Sequence, residues 1–235
     1  MRPAPGFVPT RLPEQSFVVD AMKRVLNRPD IRLMDRSIKQ LTEGYDAWLT
    51  GSNVWMPAVF GKVLEPAGDY DVLFADEAQC TEFIDKTLKL LNKHLPPDIN
   101  PYSLGETMFG SGRIFAPNGV GIIDAWTIKG SISETLMGYP YGYVRAAFRI
   151  SQTIGPSDLV RIPSNDVSAP VPAPQKFSTL SRLAGPIKQM SNGGYPGRRT
   201  LSSEQERLTI EVLKATQEEM TKSLFKPGFL DSLKR

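Results

Sequence analysis

The chain has 235 residues, 40% hydrophobic and 23% charged, the balance of a globular protein that buries a core rather than of a disordered or fibrous one. Its net charge of +3 is too small to mark a nucleic-acid binder by itself, and no apolar run approaches the roughly 20 residues of a membrane-spanning helix. A single cysteine, Cys80, rules out an internal disulfide framework and fits a reducing, cytoplasmic compartment, while a single histidine, His94, rules out histidine-based metal cages.

Residues 1–15 hold four prolines and read as an extended arm, with prolines and Glu14 where a secretion signal would carry its apolar stretch. A domain is expected over 16–154. Ser16 is positioned to cap a first helix, whose Phe17, Val18, Ala21, Met22, Val25 and Leu26 recur at helical spacing until Pro29. A second helix is expected after Asp30, with Ile31, Met34, Ile38 and Leu41 as its stripe and Gly44 as its stop. Tyr45 to Thr50 reads as a short strand ending at Gly51-Ser52, and Asn53 to Phe60 as a brief helix that Pro57 limits.

Asp69 to Phe74 is the clearest strand, and Glu77 to Leu95 the best helix, with Cys80, Phe83, Ile84, Leu88, Leu91 and Leu95 on one face. His94 falls at its C-terminal end. Two strands, Met108 to Ile114 and Val120 to Ile128, flank the turn sequence Ala116-Pro117-Asn118-Gly119. Gly110-Ser111-Gly112 and Gly119-Val120-Gly121 match no complete phosphate-binding fingerprint and read as turns. Tyr139, Tyr141 and Tyr143 suit packing better than base stacking, and Tyr143 to Ile150 adds a further element.

Residues 155–200 are rich in Pro, Ser and Gly and read as a linker or arm without its own core. Charge is uneven along the chain: residues 1–154 hold 16 Lys/Arg against 17 Asp/Glu, net −1, and residues 155–235 hold 12 against 8, net +4. Between 176 and 199 stand Lys176, Arg182, Lys188, Arg198 and Arg199 with no acid. Such a stretch serves as a solvated linker or meets a polyanion. Residues 201–235 read as a C-terminal helix opened by a Ser-Ser-Glu-Gln-Glu cap, able to dock on the domain or to build an oligomer or complex.

The chemistry lies in an ordered set: Gly51-Ser52 between strand and helix, Asp69 and Asp71 on one strand, and Asp124 on another. Glycine lets its backbone approach phosphate oxygens closely, and the helix that follows aims free N–H groups at an anion. Carboxylates two apart on a strand share a face, about 7 Å from each other. Hard ions such as Mg²⁺ or Mn²⁺ take carboxylate oxygens together with substrate phosphates, and can activate a hydroxyl and stabilise departing pyrophosphate. Asp124 interrupts the apolar run Gly121-Ile122-Ile123-Asp124-Ala125-Trp126, where a carboxylate is costly unless a cation or hydrogen bonds compensate it. Arg113 and Lys129 stand within reach across a hairpin as ordinary ion-pair partners for it.

Over roughly residues 31–130 this set resembles the DNA polymerase β-like nucleotidyltransferase superfamily, whose pattern is a Gly-Ser, an apolar-flanked Asp-x-Asp and a separate strand Asp. The resemblance implies an α+β fold, a small mixed β-sheet flanked by helices. It also implies Asp69, Asp71 and Asp124 as catalytic and metal-holding residues, and Gly51 and Ser52 as the turn that binds the triphosphate of ATP or another NTP. Sixteen residues separate Ser52 from Asp69, longer than the usual interval, and the basic residue that often follows the Gly-Ser is missing. Lys62 is the candidate to supply that charge. The implied activity is transfer of a nucleoside monophosphate from an NTP to a hydroxyl acceptor, with an RNA end or a protein met by basic residues 176–199. The rival expectation is the same fold kept as a non-catalytic assembly module, viral or complex-associated, that wraps a partner with its arms.

Overall fold

A computed structural model describes residues 13–60, 69–106, 112–128, 130–137 and 146–161. Lys62, Tyr139, Tyr141, Tyr143, the basic stretch 176–199 and the C-terminal helix expected over 201–235 lie outside the described residues. The fold is α+β, with helices around one seven-stranded mixed sheet.

The strands in chain order are β1 (Ala47–Thr50), β2 (Tyr70–Phe74), β3 (Ser103–Glu106), β4 (Gly112–Phe115), β5 (Gly121–Thr127), β6 (Ala146–Ile150) and β7 (Leu159–Arg161). They lie side by side as β3-β4-β5-β2-β1-β6-β7. Only the β2–β5 pair is parallel. A parallel pair needs a crossover, and α4 (Glu77–Lys93) supplies part of it between β2 and the β3–β4 hairpin.

Helix α1 (Gln15–Asn27) forms because Val18, Val19, Ala21, Met22, Val25 and Leu26 fall on one stripe, all buried. Its start differs from expectation. Glu14 occupies the N-cap without a side-chain bond and Ser16 lies inside the helix, while Phe17 is 48% exposed. The second expected helix is also broken. Ile31–Leu33 makes a single 3-10 turn, Met34 and Asp35 adopt left-handed backbone (φ 56° and 62°), and only Ile38–Leu41 is helical (α2). The local reason is competition from caps: Asp30 accepts from the Arg32 amide at 2.9 Å, and Ser37 and Gln40 form a reciprocal capping box that opens α2 afresh. Ile31, expected on the apolar stripe, is 84% exposed.

Helix α4 behaves as its pattern dictates. Asp76 caps it by accepting from the Gln79 amide at 2.8 Å, and His94 closes it. Cys80, Phe83, Ile84, Thr87 and Leu91 are buried on the sheet. Phe74 and Phe83 pack with rings tilted at 40°, 5.0 Å between centroids, and Tyr45 meets both edge-on. Burial pushes the Cys80 thiol up to about 11, as fits a packed rather than a reactive cysteine.

Two elements were not expected from sequence, the edge strand β3 and the short helix α5 (Ile132–Met137). A third is β7, within the stretch read as a linker. Residues 159–161 join the sheet as β7 instead of opening a linker. The Asp158 carboxylate accepts from the Gly155 amide at 2.8 Å and from the Ser151 hydroxyl at 3.0 Å, which sets the turn into β7. Arg161 then donates to the carbonyls of Pro13 and Ala58, and Gln15 donates to that of Pro156, so the segment is tied to α1 and to α3 (Ser52–Phe60). No helix among the described residues is long and apolar enough to cross a membrane.

Candidate functional site

The two faces of the sheet differ. One face carries Ala47, Leu49, Tyr70, Val72, Phe74, Ile123 and Ala125, which merge with residues of α1 and α4 in the main core. The other face carries, in register across four strands, Arg113, Asp124, Asp71 and Thr50. Asp71 and Asp124 are Cα partners on parallel neighbours, about 4.8 Å apart in the pairing direction. Asp71 and Asp124 thus stand on one face of neighbouring strands, an arrangement the sequence left open.

Gly51 follows Thr50 directly and has φ +68°, a conformation that costs any residue with a Cβ. A Cβ there would fall inside the Asp71 carboxylate. The glycine is thus required both by its backbone angle and by the approach of Asp71. Its carbonyl accepts from the amides of Val54 and Trp55 and so opens α3, with Ser52 as first helical residue. The leading amides of a helix have no acceptor within it, so Ser52 and Asn53 stand at an anion-attracting end. Asn53, buried and not foreseen as part of the site, donates its amide to the Asp69 carbonyl at 3.0 Å and fixes the entry to β2 against this turn. Thr50, also unforeseen, donates to the Ala146 carbonyl at 2.9 Å and ties the end of β1 to β6.

The sequence left Arg113 as one of two ordinary partners for Asp124, and the structure gives it a larger part. Its Nη2 donates to Asp69 at 2.8 Å and its Nε lies 2.9 Å from Asp124, so one guanidinium spans two of the three carboxylates. The Nε contact is a charge pairing off the N–H axis rather than an aligned hydrogen bond. Side-chain exposures of 11% for Asp69 and 18% for Asp124 against 30% for Arg113 show the arginine as the more open partner.

Two backbone features lie beside it. The β4–β5 register shifts from Ile114↔Ile123 to Phe115↔Gly121, a bulge that leaves Ile122 as the extra residue. A Cβ on Gly121 would overlap the guanidinium. Gly119, at φ +78°, does serve the turn that the sequence predicts, but Gly121 serves the arginine instead.

The three carboxylates share a face without closing on a common point. Among the described residues no group of three His, Cys, Asp or Glu side chains is gathered so as to hold a metal ion. The donor chemistry nevertheless suits a hard divalent ion: carboxylate oxygens on adjacent strands, two of them already arranged about a positive charge. Lys62, expected to assist at the phosphates, lies outside the described residues.

No protein-family model matches the chain, and no curated protein sequence matches it. Similar solved structures include CCA-adding enzymes. That of Thermotoga maritima complexed with tRNA has a TM-score of 0.44 at 17% identity, over 94% of this chain and 50% of that one. An apo form has 0.45 at 17% identity, over 95% and 53%, and a complex with CTP has 0.42 at 15%, over 94% and 50%. The chain spans about half the length of these proteins. At such identity and overlap the likeness says nothing of what this chain binds or catalyses.

Proposed function

We propose that this protein is a metal-dependent nucleotidyltransferase, moving a nucleoside monophosphate from an NTP to a hydroxyl acceptor. The observation that carries this reading is the meeting of the Gly51-Ser52 helix start with Asp71 and Asp124 on neighbouring strands. In this role the amides at the start of α3 hold the triphosphate, with the Ser52 hydroxyl as a further donor. Asp69, Asp71 and Asp124 would hold Mg²⁺ or Mn²⁺, which when bound would supply charge stabilisation for the departing pyrophosphate. Asp124, half-buried beside Asp71, would accept the proton of the attacking hydroxyl. The acid-free basic stretch 176–199 favours an RNA end as acceptor.

Incubation of the purified protein with labelled NTPs, Mg²⁺ or Mn²⁺ and mixed RNA and protein acceptors tests the assignment. Labelled product that disappears with Asp69→Ala together with Asp71→Ala supports it. Transfer that survives the double substitution would overturn it. A second reading, a non-catalytic module of the same architecture, draws on one specific observation: Arg113 already spans Asp69 and Asp124. Absence of product with every NTP and acceptor, in a protein that still binds RNA or a protein partner, would favour that reading.

A further inference from the structure

Arg113 forms ion pairs with both Asp69 and Asp124. We propose that it is a resident cation that competes with a divalent metal ion for these two carboxylates, so that the site has an arginine-closed and a metal-loaded form. The proposal rests on the nucleotidyltransferase reading for the place of the metal, but concerns binding alone.

The arginine's seat is built rather than incidental. Gly121, beside the bulge at Ile122, has no side chain, and a Cβ there would overlap the guanidinium. The carboxylates extend from paired strands β2 and β5, or from the residue directly before β2, so they are held in place. Arg113 is the most exposed of the three side chains and has a long flexible stem, so it is the partner able to leave. Its guanidinium carbon also lies 5.4 Å from the centre of the Phe115 ring, a cation–π contact besides the carboxylates. A guanidinium and a divalent ion repel one another, and both draw on the same oxygens, so each excludes the other from the pair.

The test is Mn²⁺ binding to the full-length protein without nucleotide, followed by the free-ion paramagnetic signal, with the protein's melting temperature read in parallel. Arg113→Met is expected to bind Mn²⁺ at least tenfold more tightly than the unsubstituted protein, and Arg113→Lys to an intermediate degree. Adding Asp124→Asn to Arg113→Met is expected to abolish the gain. Gly121→Ala, which displaces the guanidinium without removing it, is expected to tighten binding as well and remains informative if Arg113→Met fails to fold. Equal Mn²⁺ affinity in the unsubstituted protein and these variants, weaker binding in the variants, or no binding in any of them would each overturn the competition. Competition without any nucleotidyl transfer would discredit the proposed activity alone, and transfer with equal Mn²⁺ affinities would discredit the competition alone.

Discussion

Two arginine–aspartate clusters sit on opposite faces of strand β2, one reached through Tyr70 and the other through Asp69 and its face-mate Asp71. In the first, Arg32 gives its Nε and Nη2 to a single carboxylate, Asp30, at 3.0 and 2.6 Å, and the Arg32 amide and Tyr70 hydroxyl complete the set at 2.9 and 3.1 Å. In the second, Arg113 divides its fork between carboxylates on either side of it, Asp69 and Asp124. A fork committed to one carboxylate, with an aromatic hydroxyl closing the remaining lone pair, is a structural fastening. A fork divided between two acids that share a face with a third carboxylate is, under our proposal, a place that another cation can take. The same residue types are thus committed to a single carboxylate on one face and divided between two on the other.

The largest expected effect tests the second cluster. Asp124→Ala should lower nucleotidyl transfer about 10³-fold while changing folding stability by less than about 1 kcal/mol, because its ion pair is partly exposed. Transfer assays beside urea unfolding read both quantities, and a large stability loss would erase the contrast between the clusters. Asp30→Ala should show the reverse: a loss of about 3 kcal/mol in urea unfolding, with Arg32 left without its carboxylate, and little change in metal binding per folded molecule. Gly51→Ala should cost about 1–2 kcal/mol from its positive φ and should also displace Asp71, weakening Mn²⁺ binding measured on the folded fraction.

The smallest effect is a pH dependence. Burial opposes ionisation of Asp30, but the hydrogen bonds and charge of Arg32 outweigh it and hold the carboxyl below its ordinary value of 3.8. A carboxyl with a lower pKa folded than unfolded adds stability that is complete above the unfolded value and fades as pH falls through the folded one. Stability measured from pH 5 downward should therefore decline in the unsubstituted protein, and Asp30→Asn should remove that part of the decline. On the same cluster, burial and then the Asp30 charge push the Tyr70 hydroxyl up to about 12, so it stays a donor throughout.

Most helices and strands near the site were legible because they are long or strongly patterned. The stripe of α1, the stripe of α4 and the apolar run of β2 each carry their period within one segment. The helix expected after Asp30 failed because local caps at Asp30 and Ser37 outcompeted a weak stripe. Strand β7 was hidden because three residues beside prolines show no alternation, and only pairing with β6 makes them a strand. The site was legible in its parts, since glycine before a helix and paired aspartates have meaning at fixed spacing.

By itself the sequence determined which residue types stand at the ends of which elements: Gly51-Ser52 ahead of α3, Asp71 within β2 and Asp124 within β5. Strand order was not in it, because pairing between β2 and β5 joins residues about fifty positions apart, and local patterns do not encode their register. The tertiary structure alone decided that Asp71 faces Asp124, that Gly51 makes way for Asp71, and that Arg113 lies between Asp69 and Asp124. Propensity and periodicity act along the chain, whereas a shared charge environment forms only when strands distant in sequence pack side by side.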